Sequence, residues 1–121
     1  LDMELHNLTD TDNLNVVAFE KETMDKLGLI PEIAPRYRAT YFSHIIGGYA
    51  AGYYSYLWAE VLDTDAFEAF KEHGVFDKNT ADSFRKNILE KGGTEDPMTL
   101  YRGFRGADPS LEPLLKNRGL K

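Results

Sequence analysis

The stretch YFSHIIGGYAAGYYSYLWAEVL, residues 41–62, decides the fold that the sequence predicts. Its apolar residues recur at helical spacing from Tyr49 to Leu62, which predicts a helix that begins near Tyr49. The Gly47-Gly48 pair interrupts the preceding apolar run, so we predict a loop there. We expect this helix to be the centre of the chain.

Upstream of this helix, the sequence predicts one more helix and a long loop. Apolar residues at mostly helical spacing predict a helix over residues 14–27, with Asp12 or Asn13 as its N-terminal cap and Gly28 as its stop. Residues 29–38 contain two prolines, which remove backbone donors and favour extended conformations in the residues before them. We therefore predict a loop over residues 29–38.

Downstream, polar caps and glycine stops divide the remaining residues into four shorter predicted helices. The expected caps are, in order, Asp63 or Thr64, Asp77 or Asn79, Asp96, and Asp108. The expected stops include Gly74, the Gly92-Gly93 pair and Gly119. Because no segment alternates apolar and polar residues with period two, the predicted fold class is all-α.

Composition and charge exclude several classes of function. The chain has 20 acidic and 14 basic residues and a formal net charge of -6, which is opposite to what a phosphate backbone attracts. No nucleic acid partner is expected. The uncharged residues 39–59 include His44 and three glycines, so they do not predict a membrane span. The absence of cysteine suits a reducing compartment, and we expect a cytoplasmic protein with no membrane partner.

Residues 41–56 are the chemically most distinctive part of the chain, with five tyrosines, one histidine and three glycines. In a helix that begins near Tyr49, the side chains of Tyr49, Tyr53 and Tyr56 would follow one another on one face. A phenol hydroxyl directed at a carbonyl can stabilise the oxyanion formed when water attacks a peptide bond. The alternative is that this tyrosine stripe is a core face whose hydroxyls reach solvent.

The residues next to the tyrosines have both functional and structural interpretations. Gly47 and Gly48 would let backbone approach a ligand closely, as in many binding loops. His44 could contact a substrate or be a hydrogen-bonded structural histidine. Arg36 and Arg38 could hold a substrate carboxylate through bidentate hydrogen bonds, or be solvated surface arginines.

The sequence itself offers no recognisable metal site. It contains no His-Glu-x-x-His run, and none of its three histidines has a histidine partner four residues away. We therefore expect no metal ligand within this chain.

Two ordered sets of residues resemble the M3 family of zinc oligopeptidases, the family of thimet oligopeptidase. The first set is Pro35-Arg36-Tyr37-Arg38 followed by His44-x-x-Gly-Gly-Tyr49-x-x-x-Tyr53-Tyr54-x-Tyr56-Leu57-Trp58. The second set, in the tail, includes Gly92-Gly93-Thr94-Glu95-Asp96-Pro97, Tyr101-Arg102-x-Phe104-Arg105-Gly106 and Leu114-Leu115-x-x-Arg118-Gly119-Leu120. The resemblance spans nearly the whole chain, and the tail is most similar to bacterial peptidyl-dipeptidase and oligopeptidase A members.

The resemblance implies a location within a larger, mostly helical enzyme. Residues 1–121 would form a single C-terminal helical subdomain of the catalytic domain. The family's His-Glu-x-x-His helix and downstream glutamate, which hold one zinc ion, would lie upstream of Leu1. By the same resemblance, Tyr56 and Tyr49 would bind the substrate carbonyl and the oxyanion. It also implies that His44 and Tyr53 contact the peptide backbone and that Gly47 and Gly48 belong to the adjoining flexible loop. Arg36 and Arg38 remain candidate substrate-binding residues on the chemistry of their side chains.

The implied activity is hydrolysis of short peptides, with the remainder of the same enzyme chain as the necessary partner. Residues 93–97 favour a peptidyl-dipeptidase, which releases dipeptides from a free C-terminus, over an oligopeptidase. This piece alone would be inactive because the metal and the general base are absent. The alternative is a stand-alone helical module that binds a peptide or a protein without catalysis.

Overall fold

The computed structural model describes all 121 residues, and every regular element in it is helical. The all-α prediction is therefore confirmed. The α-helices are α1 (Asp2–His6), α2 (Val16–Lys26), α3 (Ser55–His73), α4 (Lys78–Phe84), α5 (Pro97–Arg105) and α6 (Glu112–Asn117). Two short 3₁₀ helices cover Ala39–Tyr41 and Ser43–Ile46, and a π-helical turn covers Arg85–Leu89. None of these helices has the length and apolar character that crossing a membrane requires.

The contacts within the chain define two compact units, residues 1–55 and residues 56–121. They are called unit 1 and unit 2 and are described separately. The boundary follows Ser55, the first residue of α3. That residues 1–121 form one subdomain of a larger protein stays a prediction.

In unit 1, the predicted helix over residues 14–27 is confirmed, since α2 runs from Val16 to Lys26. The cap differs from the prediction: Asn15, not Asp12 or Asn13, accepts a hydrogen bond from the backbone N–H of Ala18 at 3.0 Å. Gly28 ends the helix with a φ of 70°. Residues with a side chain disfavour this left-handed conformation, so glycine at the end of a helical pattern predicts the stop correctly.

The predicted loop over residues 29–38 has no helix and leads into the two 3₁₀ helices. The first of these, Ala39–Tyr41, packs against α2. Phe42 and Ile45 are buried beside it and form the apolar centre of unit 1. The 3₁₀ helices were not predicted, because such short elements have no distinctive periodicity.

The prediction of a helix that begins near Tyr49 is wrong. Residues 47–54 form successive turns, and α3 begins only at Ser55. Ala51 has a φ of 53°, the left-handed conformation that a right-handed helix excludes. Tyr49 and Tyr53 therefore precede the helix, and the single helical face shared by Tyr49, Tyr53 and Tyr56 does not exist.

In unit 2, α3 continues without a break to His73, so the predicted helix start at Asp63 or Thr64 is also wrong. The Thr64 hydroxyl instead donates a hydrogen bond back to the carbonyl of Glu60 at 2.7 Å, a pattern that helix interiors tolerate. Gly74, with a φ of 114°, follows the helix as predicted.

The remaining caps follow the prediction at two positions of three. Asp77 accepts from the backbone N–H of Thr80 at 2.7 Å, and Asp96 accepts from that of Thr99 at 2.9 Å. Asp108 does not cap α6, whose cap residue is Leu111. Its carboxylate accepts instead from Arg102 Nε at 2.5 Å.

Aromatic packing holds unit 2 together. Phe84 lies with its ring centroid 5.1 Å from that of Phe104 and 5.9 Å from that of Phe70, both at steep interplanar angles. The π-helical turn continues directly from α4 and packs against α5, and Leu100 of α5 is buried. Edge-to-face pairs of this kind add to the free energy gained from burial.

Candidate functional site

The rings of the distinctive segment form an aromatic cluster in unit 1. The Tyr53 ring centroid lies 4.7 Å from that of Phe42 and 5.2 Å from that of His44. Tyr37 stacks on Phe42 at 5.2 Å and lies 5.1 Å from His44. Tyr49 is at the edge of the cluster, 6.0 Å from His44. The structure thus brings three predicted site residues, His44, Tyr49 and Tyr53, together without a helix.

A buried carboxylate holds the turns that carry these tyrosines. Asp2 is 6% exposed, and its two oxygens accept from different backbone donors: Oδ1 from Ala51 N–H and Oδ2 from Tyr53 N–H, both at 2.9 Å. His6 Nδ1 lies 3.0 Å from Asp2 Oδ1 and 2.9 Å from the Asp2 carbonyl oxygen. Sequence reasoning missed Asp2, because a single aspartate near the start of a short helix carries no pattern.

A second buried carboxylate holds the chain just before the aromatic cluster. Glu20, on α2, is 4% exposed, and its Oε2 accepts from Ala39 N–H at 2.9 Å. Its Oε1 pairs with Arg38 Nε. Arg38 is therefore engaged by a buried acid of its own unit. Arg36 has no such pair among the ion pairs, and its guanidinium lies 5.3 Å from the centre of the Tyr37 ring, a cation–π contact.

The remaining predicted site residues are accessible. Tyr49 in unit 1 is 42% exposed, and Tyr56, in the first turn of α3, is 46% exposed in unit 2. Gly47 and Gly48 are exposed, and a Cβ atom added to either would meet no heavy atom within 4 Å. No atom of this chain therefore requires glycine at these two positions.

Unit 1 also contains an apolar cavity of about 360 Å³. Arg36, Tyr37 and Tyr53 line it together with Phe42 and Tyr54. The cavity and the aromatic cluster thus share three side chains, so a molecule in the cavity would contact the same rings.

The residues present do not fit a zinc ion. No group of three or more histidine, aspartate or glutamate side chains lies close enough together to hold a metal. His6 and Asp2 lie close together, but both Asp2 oxygens are already engaged by backbone N–H groups. Three protein ligands are the usual minimum for a catalytic zinc site.

Unit 2 has a buried acid of its own, which other side chains satisfy. Asp65 Oδ2 accepts from the Tyr101 hydroxyl at 2.6 Å and lies 3.4 Å from Arg105 Nε. Arg105 continues to Glu72 through two hydrogen bonds of 3.0 and 2.9 Å. Burial, and then the hydrogen bond to Asp65, raise the pKa of Tyr101 well above its usual range. Tyr101 is therefore a neutral hydrogen-bond donor at every physiological pH.

Known proteins match the chain along nearly its whole length. Residues 1–120 match the sequence model of peptidase family M3. Oligopeptidase A of Haemophilus influenzae is 43% identical over 121 residues, which are 98% of this chain and 18% of that protein. Dipeptidyl carboxypeptidase of Escherichia coli is 43% identical over 127 residues, covering 99% of this chain and 18% of that protein. Oligopeptidase A of Escherichia coli is 57% identical over 81 residues, 66% of this chain and 12% of that protein.

The chain therefore spans less than a fifth of the length of these relatives. The matches include the distinctive segment and the tail that the sequence analysis singled out, in one continuous alignment over nearly all residues. A match of this length and identity is far more specific than any short motif within it. The chain belongs to peptidase family M3, a family of metallopeptidases.

Proposed function

We propose that this chain is the substrate-binding part of a metallopeptidase that hydrolyses short peptides. The observation that carries the proposal is the arrangement of residues 47–54: exposed turns with tyrosines, tied down by the buried Asp2, in a chain that belongs to peptidase family M3. The zinc ion and its ligands would be supplied by the remainder of the same enzyme chain. The piece alone would then be inactive, because the metal and the general base are absent from it.

Tyr49 and Tyr56 are the proposed catalytic residues. When water adds to the scissile carbonyl, negative charge develops on its oxygen, and a phenol O–H can donate a hydrogen bond to that oxygen. Removing one such donor typically lowers kcat by about 10²–10³-fold. The accessibility of both side chains supports the assignment, since a substrate must reach them.

The proposed contacts to the peptide backbone are His44 and Tyr53, with Gly47 and Gly48 in the adjoining turn. Their proximity supports a common role: the rings of His44 and Tyr53 are 5.2 Å apart. Of the two arginines, Arg36 is the better candidate to bind a substrate carboxylate, because Arg38 already pairs with Glu20.

The finer activity that we propose is release of dipeptides from a free C-terminus, on the resemblance of residues 93–97. Cleavage inside oligopeptides is the second candidate, favoured by the higher identity to an oligopeptidase A over part of the chain. A peptide with an amidated C-terminus distinguishes the two. Amidation would abolish dipeptide release but not internal cleavage, and mass spectrometry of the products reads out the result.

The central test is Tyr56→Phe in the complete enzyme. Loss of a hydroxyl that acts in the transition state should lower kcat by about 100-fold or more while changing KM much less. Tyr41→Phe is the matched control, because Tyr41 is exposed in the same segment and has no proposed role. An unchanged kcat in Tyr56→Phe would exclude the oxyanion role.

The alternative of a stand-alone binding module makes a different prediction. It requires residues 1–121 by themselves to bind a short peptide, with an affinity that chelators do not change. Calorimetry of the isolated chain, with and without a chelator, tests this. Binding that appears only in the complete enzyme would exclude the module.

A further inference from the structure

The turn that carries Tyr49 and Tyr53 has a backbone that its own sequence does not favour. Ala50 and Ala51 are good helix formers, yet residues 47–54 are turns and Ala51 is left-handed, with a φ of 53°. A non-glycine residue in this region is strained and persists only where the surroundings impose it. Some contact outside the turn must therefore hold it.

Asp2 provides that contact. Its carboxylate spans the strained residue, with one oxygen on the N–H of Ala51 and the other on the N–H of Tyr53, each at 2.9 Å. Ala51 and Tyr53 thus donate to a side chain, whereas the neighbouring N–H groups of Ala50, Gly52 and Ser55 donate to backbone carbonyl oxygens. Hydrogen bonds to an ionised carboxylate are shorter and stronger than neutral ones.

The carboxylate is itself held in place. Asp2 is buried, and His6, one turn along α1, approaches Asp2 Oδ1 at 3.0 Å. A buried acid whose oxygens are all engaged has a fixed orientation, so it transmits that orientation to the two N–H groups it binds.

We propose that Asp2 is a positioning residue for peptide hydrolysis: it imposes the left-handed turn at Ala51 and thereby sets where Tyr49 and Tyr53 present their rings to the substrate. The inference rests on the proposed function of those tyrosines. Asp2 itself contacts no reacting atom.

Asp2→Asn in the complete enzyme tests the inference. The substituted amide keeps one acceptor but turns an NH₂ group toward one of the two backbone donors, so the turn loses one bond and gains a repulsion. We expect kcat to fall by roughly 10- to 100-fold, the equivalent of one hydrogen bond to a charged group, with KM changed less than about threefold. Hydrogen exchange at the Ala51 and Tyr53 amides should accelerate by a similar factor.

Rescue by glycine separates positioning from a general loss of structure. Gly adopts positive φ without strain, so Ala51→Gly combined with Asp2→Asn should recover a large part of the lost kcat. A merely structural defect in α1 would not respond to a change at position 51. Glu4→Gln, an exposed acid on the same short helix, is the control and should leave kcat and exchange unchanged.

The inference is overturned if Asp2→Asn keeps kcat within twofold of the wild type, or if kcat falls while exchange at the two amides does not change. This failure is distinct from failure of the proposed function. If Tyr56→Phe lowers kcat and Asp2→Asn does not, only the positioning role is lost. If Tyr56→Phe has no effect, the proposed oxyanion role of Tyr56 fails whatever Asp2 does.

Discussion

The two units of this chain differ in which groups donate hydrogen bonds to their buried carboxylates. In unit 1, the acids Asp2 and Glu20 are satisfied largely by backbone N–H groups of irregular segments. In unit 2, Asp65 is satisfied by the side chains of Tyr101 and Arg105, which project from a regular helix. The buried acids of unit 1 therefore fix the path of the backbone, whereas Asp65 in unit 2 links the side chains of two regular helices, α3 and α5.

The difference follows from where backbone hydrogen bonds go. A helix satisfies its own N–H groups, so a buried acid in unit 2 must find side-chain donors. A turn or a 3₁₀ segment has N–H groups that do not bond within the segment, and a carboxylate can accept hydrogen bonds from several of them. Unit 1 should therefore depend on single acids, and unit 2 on packing distributed over many side chains.

The largest expected effect on stability is that of Phe84→Ala in unit 2. The Phe84 ring contacts Phe70 and Phe104, and its removal leaves a cavity between three helical segments. For this half-buried ring we expect the free energy of unfolding to fall by roughly 2–4 kcal/mol, somewhat less than for a fully buried phenylalanine. Hydrogen exchange of the α5 amides measures it.

The matched control is Phe76→Ala, because the Phe76 side chain is 97% exposed. It should change the free energy of opening, obtained from exchange of the α5 amides, by no more than about 0.5 kcal/mol. Equal effects of the two substitutions would contradict the view that the phenylalanine cluster holds unit 2.

The next largest effect is expected for Glu20→Gln in unit 1. The amide can still accept from Ala39 N–H but leaves Arg38 without its buried partner. We expect the free energy of local opening of residues 38–46 to fall by about 1–3 kcal/mol, which would be seen as faster hydrogen exchange confined to that segment. Glu22→Gln, on the solvent side of α2, removes only an exposed pair with Lys26 and should have little effect. Faster exchange throughout unit 1 would contradict a local role.

A smaller effect is expected for Tyr101→Phe. The substitution removes the 2.6 Å hydrogen bond to Asp65 and leaves the ring in place, while Arg105 Nε remains near the carboxylate. Because Asp65 keeps one partner, we expect the free energy of opening, measured by exchange of the α5 amides, to fall by about 1–2 kcal/mol. A cost as large as that of Phe84→Ala would mean that polar contacts, not aromatic packing, hold unit 2.

The smallest expected effect is a pH dependence at Glu72. The hydrogen bonds from Arg105 lower the pKa of Glu72 below its ordinary value of 4.5. A lowered carboxylate pKa stabilises the fold above the unfolded-state pKa, and this contribution is lost as pH falls below about 4.5 through the folded-state value. Since the Glu72 side chain is exposed, solvent screens the pair and the effect is small.

Glu72→Gln should remove this pH dependence. The α5 amides of the wild type should become less protected between pH 5 and 3, and those of the variant should change less over that range. Identical pH profiles would show that the Arg105–Glu72 pair contributes nothing measurable.

The sequence was most informative where local chemistry decides the structure. Asp77, with Asn79 as its alternative, and Asp96 were predicted as caps, and each side chain accepts from a backbone N–H three residues away. Gly28, Gly74 and Gly119 were identified as helix ends because each has a positive φ that glycine favours. The cap predicted at Asp108 is wrong, and that carboxylate accepts from Arg102 instead.

The candidate site was predicted in composition but not in geometry. Sequence reasoning selected His44, Tyr49 and Tyr53, which the structure brings together in one aromatic cluster. It placed Tyr49 and Tyr53 on a helix with Tyr56, since alanine, leucine and tryptophan at helical spacing favoured one. The real α3 starts at Ser55, where the bonds to Asp2 no longer hold the backbone.

By itself, the sequence determined the all-helical class, the glycines that end several helices and membership in peptidase family M3. Only the tertiary structure decided the path of residues 47–54 and the roles of Asp2 and Glu20. The physical reason is distance along the chain. Asp2 binds N–H groups 49 and 51 residues away, and Glu20 binds one 19 residues away. No local pattern encodes such a bond, and its free energy exceeds the small helix propensity of two alanines.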